Sequence, residues 1–265
     1  MPALEEYDVF SYLYRAFVVA MLIFVLLPAL VIFGTSLTQT QYVIFPPQGI
    51  TAHWYRLLLR SDEWQMAMLN SVIIALAAAF VSGVLGTMSA YALDRQEIPK
   101  SGLFYGLFAV PIILPPIILA IGFLNLFAQF GLTGTYIAII LAHGVFTMPF
   151  PFLLVSNGLA EIDPQVEEAS MTLGADRITT LRKITLPLVR SNIVAGYIFA
   201  FVISLNEYII AQIVVGLSIT TFPIKIFNSL RYSLTPAISS TSVVVIVVTA
   251  ILVYIVDKMS SGLWN

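Results

Sequence analysis

The chain has no cysteine, only two histidines and, over 265 residues, only 12 Lys and Arg against 14 Asp and Glu. Without cysteine there are no disulfides and no thiolate metal sites, and no other metal-binding pattern stands out. A formal charge of −2 with no basic tail speaks against nucleic-acid binding. A glycine-rich phosphate loop is also missing, so any nucleotide chemistry belongs to another polypeptide. Met1–Asp8 has Glu5, Glu6 and Asp8 where a signal peptide would be positive, and the first apolar run is therefore read as an uncleaved anchor. No internal repeat of the kind that marks many secondary transporters is visible. What the chain has instead is apolar bulk: 59% of residues are hydrophobic and the mean hydropathy is +0.96. Such values lie outside the range of soluble domains and predict an integral membrane protein, all-α and polytopic.

Six spans are expected. Residues 16–36 follow Arg15 without a charge, broken only by Pro28, and at about 1.5 Å per residue they are long enough to cross a hydrocarbon core about 30 Å thick. Residues 37–65 turn at Pro46-Pro47 and Gly49, then become mixed aromatic and polar from His53 to Trp64, as suits an interface. Residues 66–93 are uncharged, and Ser82, Gly83, Gly86, Ser89 and Ala90 let a neighbouring helix approach closely. A polar turn at Asp94–Lys100 returns the chain. Residues 101–160 must then hold two spans divided at Gly131, Thr133 and Gly134, kinked by Pro111, Pro115 and Pro116 in one and by Pro149 and Pro151 in the other. Residues 188–212 are read as the fifth span, 213–237 as an outer loop with a short helix, and 238–256 as the sixth.

Between the fourth and fifth spans lies a polar island, Glu161–Pro187, which must face water and offer a surface to something soluble. Asp163 can cap a helix that starts at Pro164. Val166, Ala169 and Leu173 share one face of it, and Gly174 ends it in a left-handed turn. Asp176 can cap a second helix carrying Ile178, Leu181 and Ile184, with Arg177, Arg182 and Lys183 pointing elsewhere. The spacing Glu168-Ala169-Ser170, three residues, Gly174, nine residues, Ile184, one residue, Leu186-Pro187 resembles the "EAA" loop of the membrane-spanning subunit of binding-protein-dependent ABC importers. Ser170, where the pattern usually has alanine, is the one departure.

The resemblance implies a cytoplasmic coupling helix seated in a groove of an ATP-hydrolysing subunit. Glu168, Ala169, Ser170, Gly174, Ile184, Leu186 and Pro187 are then the ATPase-coupling residues, with Glu168 contacting that groove or bracing the loop. It implies two ATPase subunits that bind the ATP and magnesium, a second permease, related or identical, an extracytoplasmic binding protein, and no catalysis or cofactor in this chain. The expected segments are 1–65, with the first span and an outer loop; 66–257, the transmembrane core including the loop 161–187; and 258–265, a tail. With the loop inside, the inner side holds Arg15, Arg95, Lys100, Arg177, Arg182, Lys183, Arg190 and Lys258, and the outer side only Arg56, Arg60, Lys225 and Arg231. That bias fits both termini in the cytoplasm of a bacterial inner membrane.

Glu207 is the one acidic residue between Ser191 and Ile224. An ionisable group at such depth is a functional candidate; otherwise it lies at headgroup level or pairs with Lys225 or Arg231. Asn206 and Tyr208 flank it as candidates for the substrate path. His143 is expected to be satisfied by a neighbouring carbonyl, and Tyr197, Phe199 and Phe201 to serve packing or lipid contact. The segment Ser204–Tyr208, with Phe222–Ile226, Arg231 and Pro236, is similar to the second permease of spermidine/putrescine-type importers, which implies a polyamine or similar cation. Opine and phosphonate permeases share much of it. A reading of another class is an ion-driven transporter or channel in which Glu207 relays protons.

Overall fold

The computed structural model describes residues 3–95, 101–232 and 235–261. Glu97, Pro99 and Lys100 of the expected polar turn and the last four residues of the tail lie outside the described residues, as do the side chains of Glu5, Glu6, Asp8 and Asp257. All the regular structure among the described residues is helical. The cause is the solvent: in hydrocarbon no water serves the backbone, and a helix satisfies its own amides and carbonyls.

Contacts divide the chain into two compact units. The first comprises residues 1–61 with 228–248. It holds α1 (Ala3–Ser36) and α2 (His53–Arg60). Its interior is tied by small hydroxyls: Thr35 Oγ1 donates to Ser239 Oγ at 3.0 Å, and Ser240 Oγ to the Ser36 carbonyl at 3.1 Å. The Trp54 indole donates to the Thr38 carbonyl at 2.9 Å and so anchors α2. By contrast, the apolar stretch Phe10–Ser36 has a mean hydropathy of 3.1 and its most apolar window buries nothing within the chain. A helix apolar all round needs lipid or another protein about it.

The second unit, residues 62–227 with 249–265, is built on α3 (Asp62–Arg95). Around α3 pack α6 (Tyr136–Thr147), α7 (Pro149–Ala160) and α11 (Arg190–Asn206). As the small residues predict, the approach is close. A Cβ on Gly83 would lie 2.2 Å from the Tyr197 ring, and one on Gly196 would lie 2.6 Å from Pro151 Cα. Two apolar cores result. One joins Ile74, Phe127, Ile139, Ile210 and Val214; the other, at the end nearest the polar loop, joins Ala90, Leu93, Phe152, Val155, Leu159 and Val189.

Breaks in the helices bear on the six-span reading in three places. First, α4 (Ser101–Ile113) and α5 (Pro116–Gln129) bend by 101° at their junction, a turn sharper than a kink. Pro115 and Pro116 in succession remove two donors and push the residue before them out of helical conformation. Secondly, Pro149 and Pro151 leave Tyr136–Ala160 a single apolar stretch, because both fall in the first turn of α7, where a missing amide costs little. Thirdly, the expected fifth span 188–212 ends early. The α11 helix stops at Asn206, Glu207-Tyr208 interrupt it, and α12 (Ile209–Val215) comes next. Gly131 and Gly134 take positive φ values of 65° and 76° at the break between α5 and α6, as expected. Among the described residues, four helices are long and apolar enough to cross a membrane, and six if each bent pair counts as one span. Beyond α12 lie α13 (Phe222–Tyr232), in the expected outer loop, and α14 (Pro236–Ser261).

Overpacking against a backbone atom costs about 1–3 kcal/mol. Gly196→Ala is therefore expected to lower the thermal stability of the detergent-solubilised protein. Gly102→Ala, where nothing lies within 4 Å of the added methyl, is expected to leave stability unchanged or raise it slightly.

Candidate functional site

The polar loop folds as its capping residues dictate. Asp163 accepts from the Gln165 amide at 2.9 Å and starts α8 (Pro164–Thr172), with Pro164 in the first turn. At the other end, Gly174 donates to the Met171 carbonyl at 3.0 Å and Ala175 to the Ser170 carbonyl at 3.2 Å. Gly174 sits at φ 93°. This pair of bonds with a left-handed glycine is the Schellman ending. Asp176 then accepts from the Thr179 amide at 2.8 Å and starts α9 (Arg177–Thr180).

From there the loop departs from expectation. The second helix does not continue in α register: Leu181–Thr185 form a wide π turn, succeeded by α10 (Leu186–Leu188). Pro187 lies inside this helical run, and the 69° bend into α11 comes at Val189, buried in the core against Leu159 and Phe152. The face turned inward carries Thr180, Thr185 and Val189, while Ile178 is 60% exposed.

The outward surface is apolar although its surroundings are polar. Val166, Met171, Leu173 and Ile178 are all exposed, Leu173 by 89%. Of the residues matched to the coupling pattern, Glu168, Ala169, Gly174 and Pro187 are exposed, and Ser170, Ile184 and Leu186 are half-buried. Ser170, the departure from the pattern, has its hydroxyl 3.1 Å from that of Thr180 and so joins α8 to α9. Glu168 and Leu181 border a cavity of about 400 Å³ with Tyr91, Arg95, Glu167 and Arg177.

Glu167 is the residue that sequence reasoning missed. It is buried, and its carboxylate accepts from Arg95 Nε at 3.0 and 3.1 Å and from Thr185 Oγ1 at 2.8 Å. Nothing local distinguishes it from Glu168, and Arg95 lies 72 positions away. Only the phase of α8 could have separated the two: consecutive helical residues point about 100° apart, and an outward apolar face turns one of them in.

A second constellation lies at the interruption between α11 and α12. Glu207 is buried, and its two oxygens accept from the Ile210 and Ala211 amides, each at 3.0 Å. His143 lies behind it, with Nε2 3.4 Å from Glu207 and Nδ1 2.8 Å from Ser204 Oγ. The pairing of Glu207 with Lys225 or Arg231 is not what the structure shows. Lys225 instead pairs with Glu63 and lies over the Trp64 ring. Nor is a carbonyl the partner of His143: the Ser204 hydroxyl serves Nδ1, while Nε2 makes no hydrogen bond and lies 3.4 Å from the carboxylate. Tyr208 stacks on Phe227 at 4.0 Å, and Asn206 is exposed, donating to the Val202 carbonyl at 2.7 Å. Asn206, Glu207, Tyr208 and Phe227 border a cavity of about 700 Å³ whose other walls are apolar, among them Phe146 and Ile203. Tyr197 packs on Gly83, whereas Phe199 is exposed.

Two outcomes are expected of the loop. Gly174 has no neighbour within 4 Å, so replacement is penalised by conformation and not by crowding. Gly174→Ala is expected to cost about 1–2 kcal/mol, and Gly174→Asn less, read as faster hydrogen exchange at the Ala175 amide. The Asp176 carboxyl is held below its usual value, chiefly by hydrogen bonding from the Thr179 side chain and then its amide. Its cap is therefore fully present above the ordinary carboxyl pKa of about 3.9, and is lost as pH falls through the lowered value. Exchange at the Thr179 amide is expected to keep its protection from pH 8 to pH 5, and Asp176→Ala to lose it throughout.

The chain is similar to known proteins over most of its length. Residues 82–261 match the family described as binding-protein-dependent transport system inner membrane component. The chain is 28% identical over 242 residues to the spermidine/putrescine transport system permease protein PotC of Haemophilus influenzae, covering 91% of this chain and 94% of that one. It is 32% identical over 205 residues to the putrescine transport system permease protein PotI of Escherichia coli, covering 75% and 73%. Its fold is similar to a chain of the crystal structure of a bacterial ABC transporter involved in the import of the acidic polysaccharide alginate. There the TM-score is 0.75 at 18% identity, over 95% of this chain and 96% of that one. The chain belongs to the inner-membrane permease family of binding-protein-dependent ABC importers.

Proposed function

We propose that this permease forms half of the translocation path of an ATP-driven importer for a polyamine or similar organic cation. In this reading a related second permease supplies the other half, two ATPase subunits bind the ATP and magnesium, and a binding protein delivers the solute. The chain itself carries out no chemistry. The observation that carries the reading is the loop surface. Val166, Met171, Leu173 and Ile178 are held outward on two capped helices, in a segment otherwise polar. An exposed apolar cluster on a rigid loop fits a partner's groove, and Glu168 at its margin supplies charge. Eight Lys and Arg on the loop side, Arg15 and Lys258 among them, against four on the other support cytoplasmic termini.

The relatives named for spermidine and putrescine support the cationic solute. The cavity by Glu207 supports it further. Tyr208 and Phe227, stacked on one another, line that cavity, and a ring face left free by the stack would attract a passing ammonium group by about 0.5–2 kcal/mol. Glu207 contributes field more than direct contact, because two amides already occupy its oxygens.

The test is reconstitution with the ATPase, partner permease and binding protein. Leu173→Asp with Ile178→Asp is expected to abolish co-purification of the ATPase while the protein still reaches the membrane. Glu168→Ala with Gly174→Pro is expected to abolish uptake. Wild-type association and transport in both would remove the assignment of the loop. Transport in liposomes by this chain alone would favour an ion-driven carrier. For the solute, spermidine and putrescine are expected to compete for uptake where a phosphonate does not. Tyr208→Ala is expected to weaken cation uptake by about 2- to 30-fold, the range that a cation–π contact of this size spans.

A further inference from the structure

We infer that Glu167, with Arg95 and Thr185, is a positioning clamp that passes movement of the loop directly into α3, and not only through its covalent joint with α11. This rests on the reading of the loop as the ATPase seat. In a loop whose other charged side chains are exposed, Glu167 alone is buried, at 8%. Its two partners come from separate stretches. Arg95 is the last residue of α3, and its guanidinium also donates to the Leu159 carbonyl in the last turn of α7 at 3.4 Å and pairs with Asp94. Thr185 closes the π turn and is 1% exposed. One carboxylate therefore joins α8 to α3 and to the segment leading into α11.

The π turn has a physical part in this. A π turn holds one residue more than an α turn, and one added residue shifts the phase of the downstream helix by about 100°. That shift accompanies a hydroxyl, Thr185, pointing inward where the α repeat would have turned Ile184 or Leu181 toward the bundle. A buried ion pair is moreover a poor stabiliser, because desolvation offsets most of its attraction. Its value is geometric: a guanidinium and a carboxylate fix direction as well as distance. The helix so gripped is the one on which α6, α7 and α11 pack. Force arriving at α8 thus reaches the centre of the bundle by two routes.

The test measures solute imported per ATP hydrolysed by the full complex in liposomes, with assembly monitored by co-purification. Glu167→Gln keeps the shape of the side chain but turns a donor toward Arg95. The ratio is expected to fall at least about fivefold, the lower end of a site-to-site coupling free energy. Arg95→Gln is expected to give a similar fall, and the double variant no greater one, since both remove the same link. An unchanged ratio in Glu167→Gln, or losses that multiply in the double variant, would overturn the clamp. Should the variants not assemble, the cysteine-free wild type allows spin labels at exposed Gln165 on α8 and Met88 on α3. Their separation is expected to stay constant between nucleotide-free and ATP-bound states. A change exceeding one helical turn, about 5 Å, would overturn the clamp. If the wild-type chain binds no ATPase at all, the importer reading fails with it; if it binds and couples, but Glu167→Gln couples equally well, only the clamp fails.

Discussion

Wherever a backbone in hydrocarbon leaves the helix, the amides it exposes must find an acceptor within the protein, because each unpaired group costs several kcal/mol. This chain meets that demand with very few acidic residues, and it places several of them at helix starts. Glu207 accepts from two amides where α11 gives way to α12. Asp163 and Asp176 each accept from one amide at the start of α8 and α9, in the polar loop outside the hydrocarbon. A carboxylate in such a place is structural before it is anything else. Any part that Glu207 takes in solute passage is added to the task of holding a break open in a span.

That break is what makes a route for a polar solute conceivable. A continuous helix from residue 190 to 215 would present only side chains to the path. The interruption at Glu207-Tyr208 brings backbone and a stacked aromatic pair to the wall of a cavity, with a charged group behind them. Irregular backbone at membrane depth is tolerated where it lines a cavity. His143 completes the arrangement from the neighbouring helix, so the break is fixed from two sides.

Much of this was legible in residue order because the signals are local. The caps at Asp163 and Asp176 and the left-handed turn at Gly174 depend on neighbours within four positions, and each appears where its residue type predicts. Gly83 and Gly86 announced close helix approach for the same kind of reason: a missing side chain is visible whatever packs against it. The early end of α11 was not legible, since Ser191–Ile224 is almost uniformly apolar and its one carboxylate could as well have faced lipid headgroups or a cation. The partner of Glu207 proved to be backbone, which no side-chain pairing rule would find. Glu167 was hidden in another way, for its meaning depends on Arg95, contributed by a helix far away in sequence.

The adjacent pair Glu167-Glu168 shows how one helical turn can divide labour. With residues about 100° apart, one carboxylate turns in toward Arg95 and Thr185 while the other stays at the margin of an exposed apolar cluster. Had both faced outward, the loop would have been a knob on a string, able to bind a partner yet poorly able to pull on anything. Had both faced inward, two like charges would have shared one guanidinium at a heavy desolvation cost. In the proposed reading, docking and transmission need opposite environments for the same chemical group, and a helix of nine residues supplies both. A seat of that kind, held by the helix at the centre of the bundle, would convert closure of one body into rotation of another.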